Sequence, residues 1–231
     1  MNKITRLMTV CAALLLIVPA ASAVDWSDNF DSYALGSGLH GQGGWAGWDG
    51  SVAADAFVAD TEALSAPHSV RITPTSDIVQ EFTETTGEWE MTAWCYIPTG
   101  STGNQFFIML NMYTPDGVAN DKWSVQLKFD SDAGIVSNTM HGSTASAPLI
   151  RNTWVEVKIK IYLDTNMQDT YYNGAFMDST PWQDGTGANE IAALDLFSDG
   201  GSTIYWDDCK LIQTNIALEH TTWGRIKTLL Q

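Results

Sequence analysis

The residues of this chain best suited to chemistry are aromatic, amide and acidic side chains rather than nucleophiles. Trp45 and Trp48 stand in a glycine-rich run over 41–50. Exposed indoles offer flat apolar faces to the C–H faces of sugar rings, and neighbouring amides and carboxylates can read the hydroxyls. The competing reading is that one or both tryptophans plug the end of a core, with the glycines permitting close approach. Strand alternation gives a second group. Trp94 and Tyr96 share a face with Thr92, while Asn111 and Tyr113 share one with Gln105, Phe107 and Met109. Gln126 lies on the polar face of 122–129. Such a mixture is what a concave glycan-binding sheet displays, and equally what a sheet covered by a loop displays. The ligand-binding candidates are therefore Trp45, Trp48, Trp94, Tyr96, Asn111, Tyr113 and Gln126.

Catalytic chemistry finds less support. Acids two or three residues apart occur at Glu88 and Glu90 and at Glu81 and Glu84, both flanking a turn near Gly87. His40, His68, His141 and His220 are scattered without metal-ligand spacing. Serine-nucleophile motifs and phosphate-cradling glycine loops are absent. No catalytic residue is assigned.

The elements that must position these residues are strands. Val155, Val157, Ile159, Ile161 and Leu163 alternate with Glu156, Lys158, Lys160 and Tyr162, a period of two that marks a half-buried strand. Lys122 to Phe129 alternates likewise, with Trp123, Val125, Leu127 and Phe129 expected in the core. Further strands are expected over 69–73, 78–82, 89–97, 105–112, 170–177, 193–198 and 203–212. Asn173-Gly174 signals a hairpin, since a type I′ turn needs positive φ at both central residues. Many short strands punctuated by turns indicate a sandwich or jelly roll.

The two ends differ from this body. Lys3 and Arg6 precede an apolar run from Leu7 to Val18, then Pro19 and Ala21-Ser22-Ala23. This is the pattern of a signal peptide cleaved after Ala23, and the run is shorter than the ~20 residues of a membrane span. From residue 214 a linker leads to a short amphipathic tail carrying Trp223, Ile226, Leu229 and Leu230. The expected organisation is signal peptide 1–23, sandwich domain 24–213 and tail 214–231, with Trp223 to Gln231 offering a docking segment for an envelope or protein partner. The formal charge of −16 becomes −18 once Lys3 and Arg6 are removed, which argues against nucleic acid, where lysine and arginine must replace counterions. Cys95 and Cys209 remain after cleavage. They either bridge two strands or serve as buried thiols.

Trp26-Ser27-Asp28-Asn29-Phe30-Asp31-Ser32-Tyr33, the stretch from Trp154 through Asp164 to Tyr172-Asn173-Gly174, and Tyr205-Trp206-Asp207-Asp208 together resemble the concanavalin A-like, laminin-G-like jelly rolls of secreted bacterial proteins. The resemblance implies an all-β fold of two packed antiparallel sheets with the chain ends side by side. It also implies an extracellular or periplasmic setting and, often, glycan binding or glycanase activity. The glutamate pairs above depart from the Glu-x-Asp-x-x-Glu arrangement of the family's glucanases. With the end strands adjacent, Asp28, Asp31, Asp207 and Asp208 would converge, and Ca²⁺ with its six to eight oxygen ligands would relieve their repulsion. Using both Asp207 and Asp208 would require a bulge. The reading is a secreted, non-catalytic carbohydrate-binding module, possible alternatives being a structural or cell-surface interaction protein and a glycan hydrolase or lyase.

Overall fold

The computed structural model describes residues 24–115 and 120–214. The expected signal peptide and most of the expected tail, with Trp223, lie outside the described residues. Fifteen strands build two antiparallel sheets. In chain order they are β1 (Val24–Asp28), β2 (Trp45–Gly47), β3 (Phe57–Ala59), β4 (Ser69–Ile72), β5 (Asp77–Glu84), β6 (Glu88–Tyr96), β7 (Asn104–Met112) and β8 (Lys122–Asp130). There follow β9 (Ile135–Asn138), β10 (Ser146–Pro148), β11 (Trp154–Tyr162), β12 (Met167–Tyr172), β13 (Ala175–Pro181), β14 (Ile191–Asp199) and β15 (Ile204–Gln213).

The first sheet runs β13-β12-β11-β6-β15-β4-β3, with β1 also paired to β15, and the second runs β10-β9-β8-β7-β14-β5-β2. Their inner faces form one core. Met91, Ala93 and Cys95 of β6 and Val155, Val157, Ile159 and Ile161 of β11 point inward from the first sheet, and all are buried. Phe107, Met109, Leu194 and Leu196 answer from the second. Trp206 spans the layers, its ring 5.6 Å from Phe107 and 5.7 Å from Phe129. The all-β jelly-roll sandwich expected from the sequence is the observed fold.

Local chemistry explains the joints. Asn173 (φ 51°) and Gly174 (φ 73°) take the two positive angles of the β12–β13 hairpin, which an amide-bearing residue and a glycine tolerate. The chain ends meet as expected, with Asp28 opposite Cys209 and Val24 opposite Ile212. Cys95 and Cys209 are free thiols on the inner face of adjacent strands, and burial pushes both well above the ordinary thiol range.

One strand departs from its expected alternation. The β7–β8 register passes from Met109 opposite Val125 to Leu110 opposite Trp123, so Ser124 is an extra residue in β8. This bulge turns Ser124 inward, fully buried, and leaves Trp123 36% exposed on the outer face. Trp123 is not the core residue that strict alternation predicted.

Candidate functional site

The bulge opens onto a cleft on the outer face of the second sheet. Its volume is about 580 Å³. Four strands, one turn and Asp121 just before β8 supply its lining. Trp48 and Asp49 come from the 3₁₀ turn after β2, Asp77 from the start of β5, and Asp195 and Phe197 from β14. Ile108 comes from β7, and Lys122, Trp123 and Gln126 from β8. Cross-strand register fixes the floor: Val79, Asp195, Ile108 and Gln126 form one row across β5, β14, β7 and β8. Asp77, Phe197 and Phe106 form the next.

The walls are aromatic. Trp48 and Trp123 lie nearly parallel, at 11°, with ring centres 6.3 Å apart. Tyr113 packs on Trp48 at 4.9 Å, and its hydroxyl accepts a 3.1 Å hydrogen bond from the Asp49 backbone N–H. Phe197 stacks on Phe106 at 5.5 Å. Gly47 allows Trp48 its place, because a Cβ there would fall 2.0 Å from the Ser51 carbonyl oxygen. Burial, then the carboxylates of Asp49, Glu81 and Asp121, push the Tyr113 hydroxyl up to about 12.

The floor is acidic. Asp195 is 3% exposed, and its carboxyl lies near enough to that of Asp77 for each to influence the other's protonation. Burial raises Asp77 to about 6, and burial together with the Asp77 charge raises Asp195 well above the carboxylate range. A carboxyl whose pKa is higher folded than unfolded holds its proton better when folded. Stability therefore falls as pH rises across the interval from the ordinary 3.8 to about 6, for Asp77 and also for Asp207. Asp130 and Asp184 are held low by hydrogen bonds and favour the fold in the opposite sense, their contribution being lost only as pH falls below the ordinary range. The thermal midpoint is expected to be higher at pH about 4.5 than at about 7, and Asp77→Asn should narrow the difference. A midpoint that climbs steadily over that range contradicts the assignment.

The expected ligand-binding residues are thus divided by the structure. Trp48 and Gln126 line the cleft, and Tyr113 supports Trp48. Trp45 does not belong there: it is 1% exposed, and its Nε1–H donates to Asp28 Oδ2 at 2.9 Å. Of the two readings of the glycine-rich loop, the plug holds for Trp45. Asn111 is buried as well, its amide bonded to the carbonyls of Thr186 and Ala188. Trp94 and Tyr96 face outward from the other sheet, because β6 lies between β11 and β15. Tyr96 packs there on Trp154 and Tyr205. These residues form no single concave site with the cleft.

The four aspartates of the chain ends do not assemble as expected. Asp28 accepts from the Phe30 N–H, the Tyr33 hydroxyl and Trp45. Asp31 accepts from the His68 N–H and the Asn29 amide. Asp207, fully buried, accepts from the N–H groups of Leu64, Ser65 and Asp208 at 2.7–3.0 Å. The anticipated bulge in β15 does occur, with Asp208 at φ 47°. Only Asp28 and Asp208 share a cleft, together with Lys210. Among the described residues no three histidine, cysteine, aspartate or glutamate side chains group as a metal set. Protein donors supply Asp28, Asp31 and Asp207 with the compensation that a cation was expected to provide.

Asp77, Asp195, Phe197, Ile108 and Trp123 are site residues that the sequence reading missed. A signal existed for Asp195: in Ala193-Leu194-Asp195-Leu196-Phe197, alternation sets an acid on an otherwise apolar strand.

The chain matches no protein-family profile and no curated protein at a significant level. Solved structures do resemble it. A sialidase superposes with a TM-score of 0.50 at 10% identity, over 78% of this chain and 18% of that one. The carbohydrate recognition domain of Emp47p gives 0.46 at 11%, over 85% and 98%. The carbohydrate-binding module CBM66 from Bacillus subtilis gives 0.47 at 13%, over 74% and 96%. The chain thus spans under a fifth of the sialidase's length, and the likeness is one of fold.

Proposed function

We propose that the protein is a carbohydrate-binding module whose ligand lies in the cleft on the outer face of the second sheet. The observation that carries this reading is the pairing of aromatic walls, Trp48 and Trp123, with a polar floor of Asp77, Asp195 and Gln126. Sugar rings need both surfaces, an apolar one to stack on and hydrogen-bonding groups for their hydroxyls. The row continues through Phe197 to Phe106, which suits several sugar residues in succession. The jelly-roll fold supports the reading without naming a sugar.

Binding is favoured over hydrolysis by a feature of the acid pair. A retaining glycosidase separates its two carboxyls by about 5–5.5 Å, and an inverting one by more. Burial pushes both Asp77 and Asp195 toward the protonated form, whereas either scheme needs one of the two acids ionised as nucleophile or base. Export through a signal peptide belongs to the same proposal.

A glycan array probed with residues 24–214 tests the function. Oligosaccharide binding should be found, and Trp123→Ala should reduce it, with unchanged mobility on gel filtration. Binding that survives both Trp48→Ala and Trp123→Ala moves the site elsewhere.

A further inference from the structure

The acid pair differs from the buried carboxylates of the first and last strands in what serves it. Asp28 receives three protein hydrogen bonds and Asp207 receives four. Asp77 Oδ1 and Asp195 Oδ1 are buried without any protein donor, although Asp195 is 3% exposed and lines the cleft. Buried polar atoms are nearly always satisfied, so orphaned oxygens on two carboxylates that line one cleft point to a donor brought by a ligand.

The charges around the pair decide what kind of donor it awaits. Asp49 faces it from the turn after β2, Asp121 from the approach to β8, and Lys122 from β8 itself. Lys122 is the only cation among the described residues lining the cleft, against four aspartates. An acidic sugar would bring a further negative charge to this site. A protonated amine brings three donors and a compensating charge, and the faces of Trp48 and Trp123 attract cations as well.

Resting on the carbohydrate-binding reading, we infer that the cleft selects sugars bearing a free amine, with the ammonium group seated on Asp77 and Asp195 beside the stacked indoles. The deacetylated nitrogen is then the feature distinguished, since an N-acetyl group lacks the charge and keeps only one N–H donor.

Calorimetric titration with three hexamers tests this at near-neutral pH: the glucosamine hexamer, its fully N-acetylated form, and the glucose hexamer. The glucosamine hexamer is expected to bind at least about tenfold more tightly than the other two, the size of a charge-assisted hydrogen bond. Asp195→Asn and Asp77→Asn, which keep the shape of the pair, should each abolish that margin. Trp123→Ala should weaken all three ligands. Should either asparagine variant fail to fold, the wild-type ranking of the three hexamers still decides. Equal binding of all three, or a preference that persists in the asparagine variants, overturns the amine inference and leaves carbohydrate binding intact. No binding by any of the three, together with a blank glycan array, overturns both.

Discussion

Truncating Trp45 to alanine is expected to cost about 3–5 kcal/mol of stability, while the same truncation at Trp123 changes stability little and removes ligand binding. The contrast follows from what each indole touches. Trp45 is packed against Phe30 and Trp26, with ring centres 6.0 and 5.8 Å away. Its loss leaves a cavity and takes one donor from the buried Asp28. For a domain of this size each kcal/mol moves the thermal midpoint by roughly 2–4 °C, so the fall should exceed ~6 °C. Trp123 is more than a third exposed, and its ring stacks on Trp48 of the outer face. A stacking aromatic contributes to binding without stabilising the fold, so its two effects separate. Chemical denaturation of both variants, with one binding assay, measures the contrast. If Trp123→Ala destabilises as much as Trp45→Ala, the outer-face cleft is not a binding surface.

The second large effect is expected at Asp207. Its carboxyl ties the 64–65 segment to the last strand through two backbone N–H groups and the Ser65 hydroxyl, and it also accepts the Asp208 N–H. Replacement by alanine strands three part-buried N–H donors, each costing about 1–3 kcal/mol where water cannot reach it. Asp207→Ala should therefore lose at least ~3 kcal/mol, and Asp207→Asn, which keeps one acceptor oxygen, should lose less. A denaturation midpoint for the alanine variant equal to wild type would show that water replaces the carboxylate without penalty.

Some of this was legible in the chain and some was not, for identifiable reasons. The alternation of Val155 to Ile161 against Glu156 to Lys160 announced β11, and every apolar member is buried. Asn173-Gly174 announced its hairpin through the angles that only such residues take readily. Period-two reasoning fails where a residue is inserted. At Ser124 the bulge reverses the facing of Trp123, and a platform was read as core. It fails again where both faces of a sheet are covered. In β7, Phe107 and Met109 enter the core while Ile108 and Leu110 join Val79 and Ala193 on the outer face, so neither side looks wet. Trp94 was placed on the correct face of its strand but on the wrong sheet, because sheet membership depends on long-range pairing. The proximity of Asp77 and Asp195 is of the same kind. They are more than a hundred residues apart in sequence, and only the pairing of β5 with β14 unites them.

The pairing of β1 with β15 has a practical consequence for engineering. Chain entry at Val24 and chain exit near Gln213 lie on neighbouring strands of the first sheet, whereas the cleft opens from the outer face of the second. A short peptide could join the two termini, and new ends could be cut at the exposed Asn173-Gly174 hairpin, so the domain is well disposed to circular permutation. By the same geometry, the domain could be spliced as a cassette into a surface loop of a carrier protein. Both junctions would sit on one sheet, leaving the cleft on the opposite flank free to meet an insoluble polymer.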